Sequence, residues 1–155
     1  MVTLEQFRYC PTHSTHPPFC YDFHYVKPGM VAIFGDNGSG KSTLAQLMAG
    51  WYPDFLPGEI TGTGTLLGTP IGRLPLNEQS ATIQLVQQSP YLQLSGCTFS
   101  VEEEVAFGPE NLCLAEKEIM ARIDAALALT ECQPLRHRHP ATLSGGETQR
   151  GVSPC

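Results

Sequence analysis

The sequence predicts an α/β fold in which a strand, a glycine-rich loop and a helix follow one another directly. Three observations predict it. Val31-Ala-Ile-Phe34 is a short apolar, partly β-branched run of the kind that forms a buried parallel strand. Gly35, Asp36, Asn37, Gly38, Ser39 and Gly40 then place three glycines within six residues. The segment Lys41–Ala49 has Leu44, Leu47 and Met48 on one helical face, with Gly50 as its stop.

The other elements are placed by the same periodicities. Residues 2–9 and 21–33 alternate as strands of a small antiparallel sheet, with Tyr21, Phe23 and Tyr25 on one face. Residues 58–68 carry Gly58, Gly62, Gly64 and Gly68 around Ile60, Leu66 and Leu67, which predicts a hairpin in that sheet. Ala81–Gln87 reads as a further strand of a partial parallel core sheet, ended by Gln88-Ser-Pro90. From about residue 90 to 145 the chain turns helical. Ser100 and Glu103 form a capping box opening a helix through about Phe107. Residues 114–131 make an amphipathic helix on Ile119, Ile123 and Leu127. Ser144 and Glu147 repeat the capping box at the start of a last helix.

The glycine-rich loop carries chemistry. Gly35, Gly38 and Gly40 let the backbone curl so that successive amides point at an anion. The helix start adds the positive end of its dipole; Lys41 reaches terminal phosphates and the Ser42 hydroxyl, with Thr43 beside it, faces a magnesium ion. This is a phosphate-binding loop for a nucleoside triphosphate. The segment Leu143, Ser144, Gly145, Gly146 and Glu147 bares a second helix start, where two glycines let a phosphate approach the backbone.

Composition narrows the partners. A chain of 155 residues suits one domain with a real core. The formal charge of −6 argues against a nucleic-acid surface, and no apolar run is long enough to span a bilayer. Six cysteines without a CxxC pair or an export signal are expected as reduced thiols. Cys10, His13, His16 and Cys20 have zinc-like ligand types. They sit in a stretch with Pro11, Pro17 and Pro18 whose spacing matches no standard finger, so a solvated loop between two strands is expected.

The phosphate loop followed by Leu143–Arg150 resembles the ATP-binding subunit of an ABC transporter. The resemblance covers residues 1–150, and Val105-Ala-Phe-Gly-Pro-Glu-Asn-Leu112 is similar to the energy-coupling-factor and cobalt-type importers. It implies ATP and magnesium as cofactors, with Gln88 as the Q-loop glutamine near the metal and Tyr9 stacking on adenine. It implies that Leu143–Glu147 closes over ATP held by a second ATP-binding subunit, in a homo- or heterodimer. It also implies a transmembrane permease as partner, a peripheral place on the inner, cytoplasmic face of the membrane, and import of a small solute such as an ion or vitamin.

The family pattern continues past this motif with an acidic strand, a catalytic glutamate and a switch histidine, whereas here Gly151–Cys155 follows as an aberrant tail. Glu102, Glu103 and Glu104 are expected as a solvated helical face rather than as a catalytic group. The expectation is an ATPase by ancestry that holds nucleotide without hydrolysing it; a non-functional remnant and a non-transport ABC ATPase are the alternatives.

Overall fold

Apolar alternation in the first strand sets up the core of the N-terminal half. In the computed structural model, which describes residues 1–73, 75, 78, 79 and 82–151, β1 (Val2–Pro11) buries Leu4, Phe7 and Tyr9. Period-2 alternation alone would put Leu4 and Phe7 on opposite faces. A register shift between them, with Gln6 at φ 47, returns Phe7 to the buried side. β2 (Phe19–Tyr25) pairs antiparallel with β1, and residues 12–18 form the loop between them, as expected. Tyr21, Phe23 and Tyr25 share one partly buried face while Asp22 and His24 are exposed.

On its other edge β1 pairs with β3 (Gly58–Leu66), which continues through Leu67 and Gly68 into the two-residue β4 (Thr69–Pro70). The sheet order is β2-β1-β3-β4. The expected hairpin at 58–68 is therefore one long strand whose turn comes at its end, because Val2–Pro11 offers a full-length partner. α1 (Lys41–Met48) lays Leu44 and Leu47 against Leu4, Phe7 and Tyr9. Full burial of such side chains contributes roughly 1.5–3 kcal/mol each. Gly50, at φ 82, marks the end of this helix.

Neither of the two segments expected as parallel strands forms a strand among the described residues. Residues 30–34 form no strand and are exposed, with Met30 at 99% and Phe34 at 90% of full accessibility. Residues 82–87 form no strand, and Ala81 lies outside the described residues. β-branched apolar sequence supplies strand propensity, but a strand also needs a neighbour for its amides and carbonyls.

The contacts divide the chain after Leu85 into two units. The second is helical. α2 (Val101–Asn111) starts at Ser100, whose side chain accepts from the Glu103 amide, and runs through Pro109 to Asn111, four residues beyond the expected end. α3 (Glu116–Leu129) buries Ile123 and Leu127 against Val101, Val105, Ala106, Cys132 and Leu143, with Ile119 partly covered. α4 (Gly145–Gly151) closes the described chain; the tail expected at 151–155 lies outside the described residues beyond Gly151.

The carboxylates of α2 correct the expectation of a solvated face in part: Glu103 is exposed and Glu102 and Glu104 half-buried, but all three are bonded. Arg136 donates to Glu102 at 2.7 Å and to Asp124 at 2.6 Å. The Phe99 amide donates to Glu103 at 2.7 Å. Glu104 accepts from the Ser95 amide at 2.7 Å, the Ser95 hydroxyl at 2.9 Å and the Thr98 hydroxyl at 2.5 Å. All three tie loops to the helix start, where acidic side chains also suit the dipole.

Candidate functional site

The phosphate-binding loop is built between the apolar run Val31–Phe34 and the first turn of α1. Gly38 and Gly40 sit at φ 82 and φ 90, the left-handed region that glycine enters without steric cost. Asp36 accepts from the Ser39 amide at 3.2 Å, closing the tip, and the Leu44 amide makes the first helical bond to Gly40 at 2.8 Å. Gly40 is the N-cap and gives no side-chain cap. The amides of Lys41, Ser42 and Thr43 thus precede the first intrahelical donor and have no acceptor within the helix.

Lys41 bends back over the loop. Its Nζ donates to the Gly35 and Asp36 carbonyls at 2.7 Å each and lies 3.3 Å from the Ser39 hydroxyl. Residues 35–39 and Ser42 are exposed, Lys41 and Thr43 are half-buried, and Gly40 is buried. One cation folded over the loop, first-turn amides without a helical acceptor and an exposed serine thus lie together on Gly35–Thr43. These donors suit a triphosphate, and the Ser42 hydroxyl suits a magnesium ion bound with it.

Two residues outside the motif shape this loop, and sequence reasoning did not single them out for it. The Tyr21 hydroxyl donates to the Gly40 carbonyl at 2.8 Å. A Cβ on Gly40 would lie 2.6 Å from that hydroxyl and from the Phe19 ring. The signal was available only as an aromatic at an inward position of β2, which reads equally as core.

Tyr9 is not presented to a ligand. It is fully buried, its hydroxyl donates to the Pro57 carbonyl at 3.0 Å and to that of Leu56 at 3.3 Å, and its ring meets Tyr52 edge-on. Burial pushes its phenol pKa up. An adenine platform needs an accessible ring face, so the stacking role expected for Tyr9 does not fit its position.

In the second unit, Ser144 and Glu147 make the expected reciprocal box. The Ser144 amide donates to Glu147 at 2.8 Å and the Glu147 amide to the Ser144 hydroxyl at 3.3 Å. The backbone and hydroxyl bonds from Ser144 hold the Glu147 carboxyl below its ordinary range. Leu143 is buried in the helical core, while a Cβ on Gly146 would meet nothing and one on Gly145 only the Tyr91 hydroxyl at 3.9 Å. That end of α4 is open to an approaching group. Gln88 is exposed at a bend. Its neighbour Gln87 is anchored: its amide donates to the Gln93 side chain at 2.8 Å, and its carbonyl accepts from Gln149 of α4 at 3.4 Å.

The profile of the ABC transporter family matches residues 21–152, which takes in both the phosphate loop and Leu143–Arg150. The chain belongs to the ABC transporter family. An ABC transporter ATP-binding protein of Methanosarcina mazei is 39% identical over 150 residues, 96% of this chain and 52% of that protein. An energy-coupling factor transporter ATP-binding protein of Levilactobacillus brevis is 42% identical over 120 residues, 77% of this chain and 40% of its own length. Among solved structures, cbiO1 of Clostridium perfringens, part of the ABC transporter complex cbiONQ, matches with TM-score 0.78. It is 29% identical, over 97% of this chain and 58% of that one. A dimeric ATP-binding cassette solved with ADP and phosphate shares the fold at TM-score 0.76 and 20% identity, over 98% of this chain and 67% of its own. The chain spans about half, or less, of the length of the ABC relatives named by sequence. Among the described residues no helix is long and apolar enough to cross a membrane.

Proposed function

We propose that the chain is the ATP-binding part of an ABC importer and holds magnesium–ATP on Gly35–Thr43. Lys41 takes the terminal phosphates, the amides at the start of α1 take the anionic oxygens, and Ser42 with Gln88 serves the metal. Leu143–Glu147 closes over ATP held by a second ATP-binding subunit, and a transmembrane permease is the further partner, at the inner face of the membrane. The observation that carries the reading is the Lys41 ammonium, poised over a glycine loop whose helix start has no side-chain cap. The energy-coupling and cbiONQ names of its relatives favour import of a small solute.

Within these 155 residues we propose binding without turnover. General-base groups commonly contribute about 10²–10⁴-fold, and the α2 carboxylates are already engaged, Glu102 with Arg136, Glu103 with the Phe99 amide and Glu104 with Ser95 and Thr98. Calorimetric titration of the 155-residue protein with magnesium–ATP, paired with a phosphate-release assay, tests both parts. Saturable binding with release no faster than a Lys41→Ala control is expected; release clearly above that control overturns the second part, and absence of binding the first.

A further inference from the structure

We propose that Tyr21 is a positioning residue for the phosphate-binding loop, setting the orientation of the Gly40 peptide through its hydroxyl and so the aim of the amides that meet the phosphates. This rests on the reading of Gly35–Thr43 as a nucleotide site.

Gly40 occupies the junction at which the loop becomes helix. Its φ of 90 lies in the left-handed region, so the peptide that follows it is turned sharply relative to α1. Glycine has little preference there, and a loop of glycines has many orientations to lose when an anion binds. Something outside the loop must hold this peptide if its amides are to be set in advance. Two donors meet on the Gly40 carbonyl: the Leu44 amide at 2.8 Å from within α1 and the Tyr21 hydroxyl at 2.8 Å from β2. The first is the ordinary opening bond of a helix. The second is supplied by the sheet.

The sheet end of this bond is itself firm. Tyr21 pairs with Phe7 across β1–β2, its ring lies 6.4 Å from that of the fully buried Phe7, and it packs on the cluster that includes Leu44 and Leu47 of α1. Phe19, two residues earlier on the same face, supplies the other surface against Gly40. Burial pushes the Tyr21 phenol up to about 12, so the hydroxyl remains a donor throughout the neutral range. An apolar residue at position 21 would satisfy the core equally well, so packing alone does not call for the hydroxyl. Its partner is the phosphate loop.

Tyr21→Phe keeps the ring and removes only the donor. With inorganic tripolyphosphate, ADP, ATP and adenosine as probes, the variant is expected to bind all three phosphorylated probes about three- to tenfold more weakly, the worth of one neutral hydrogen bond. Adenosine affinity should be unchanged, and the unfolding temperature without ligand should fall by no more than the loss of one neutral hydrogen bond allows. Adding Tyr21→Phe to Lys41→Ala should then give less than this full loss, since both act on the same phosphates. Wild-type affinity in Tyr21→Phe, with Lys41→Ala still defective, would overturn the proposal and leave the nucleotide reading intact. Equal weakening for adenosine would assign Tyr21 to general stability and overturn it too. Wild type that binds none of the phosphorylated probes would overturn both. Should Tyr21→Phe fail to fold, hydrogen exchange of the Tyr21 hydroxyl in wild type decides: protection that rises with tripolyphosphate supports the proposal, and exchange at the solvent rate refutes it.

Discussion

The Lys41 ammonium donates to the carbonyl of Gly35, six residues before it, at 2.7 Å. The same atom bonds the Asp36 carbonyl at 2.7 Å, so the loop from 35 to 41 is closed by its own cation. Those carbonyls are neutral acceptors. A phosphate oxygen is charged, and charge-assisted bonds are roughly twice as strong as neutral ones. A bound triphosphate therefore competes well for the ammonium, and Lys41 need only swing its terminal carbons to trade one set of oxygens for the other.

Lys41→Ala should weaken ATP binding by about tenfold or more, because a hydrogen bond to a charged group contributes roughly 1.5–3 kcal/mol. Titration with a fluorescent ATP analogue measures it. Equal affinity for the two proteins would show that the loop does not hold phosphate.

Gly40→Ala should be more damaging than a single methyl suggests. The left-handed conformation costs a non-glycine residue about 1–2 kcal/mol, and the new Cβ would sit 2.6 Å from the Phe19 ring and the Tyr21 hydroxyl. Both neighbours belong to the sheet, so relief requires moving either β2 or the loop. The expected result is a lower unfolding temperature together with loss of ATP binding. Gly38→Ala meets no neighbouring atom and carries the backbone cost alone. If both variants melt alike, contact with β2 is not what constrains the loop.

The contrast between these glycines also marks what the sequence could and could not disclose. A loop motif is local: spacing alone places Gly38, Gly40 and Lys41. The Ser144–Glu147 box and the Ser100 cap were legible because their partners lie three residues apart, although the Glu103 carboxylate bonds the Phe99 amide instead of that of Ser100. The amphipathic helices were legible too, since Leu44 with Leu47 and Ile123 with Leu127 follow helical spacing. What failed depends on neighbours outside the element itself. Tyr9 matched a family position, yet Leu56 and Pro57 claim its hydroxyl. Val31–Phe34 has every strand residue and no partner strand among the described residues. Glu104 looked like one more charge on a helix until Ser95 and Thr98 folded back onto it.

Glu104→Ala should destabilise the helical unit by about 1–3 kcal/mol, since it leaves the Ser95 amide and hydroxyl and the Thr98 hydroxyl to find other acceptors at once. Chemical unfolding followed by circular dichroism would report the change. Glu110→Ala, at an exposed position of the same helix, is the comparison, and no difference between the two would refute the anchoring role.

Acid should loosen the same unit. Its side-chain bond to Arg136 holds the Glu102 carboxyl below the ordinary value of 4.5, and the Ser144 bonds do the same for Glu147. Both folded-state values are depressed, so the stability they contribute is present above about 4.5, the unfolded value, and is lost as pH falls through the lower folded values. Helicity should therefore decline as pH is lowered below that point. Glu102→Gln should be less stable at neutral pH and show a shallower acid dependence, and an unchanged slope would remove Glu102 from the account.

The exposed apolar run at residues 30–34 should drive association of the 155-residue protein in solution. Met30 and Phe34 are almost fully accessible, Val31 and Ile33 about half so. Apolar, β-prone segments with free edges pair with other chains, and a charge within them is the usual remedy. Phe34→Lys should therefore reduce concentration-dependent association, measured by light scattering, at little cost in helicity because that ring packs in neither core cluster. Phe7→Lys, which buries the charge beneath the sheet, should unfold the N-terminal unit instead. If Phe34→Lys scatters as strongly as wild type, association proceeds through another surface and the run at 30–34 is not its cause.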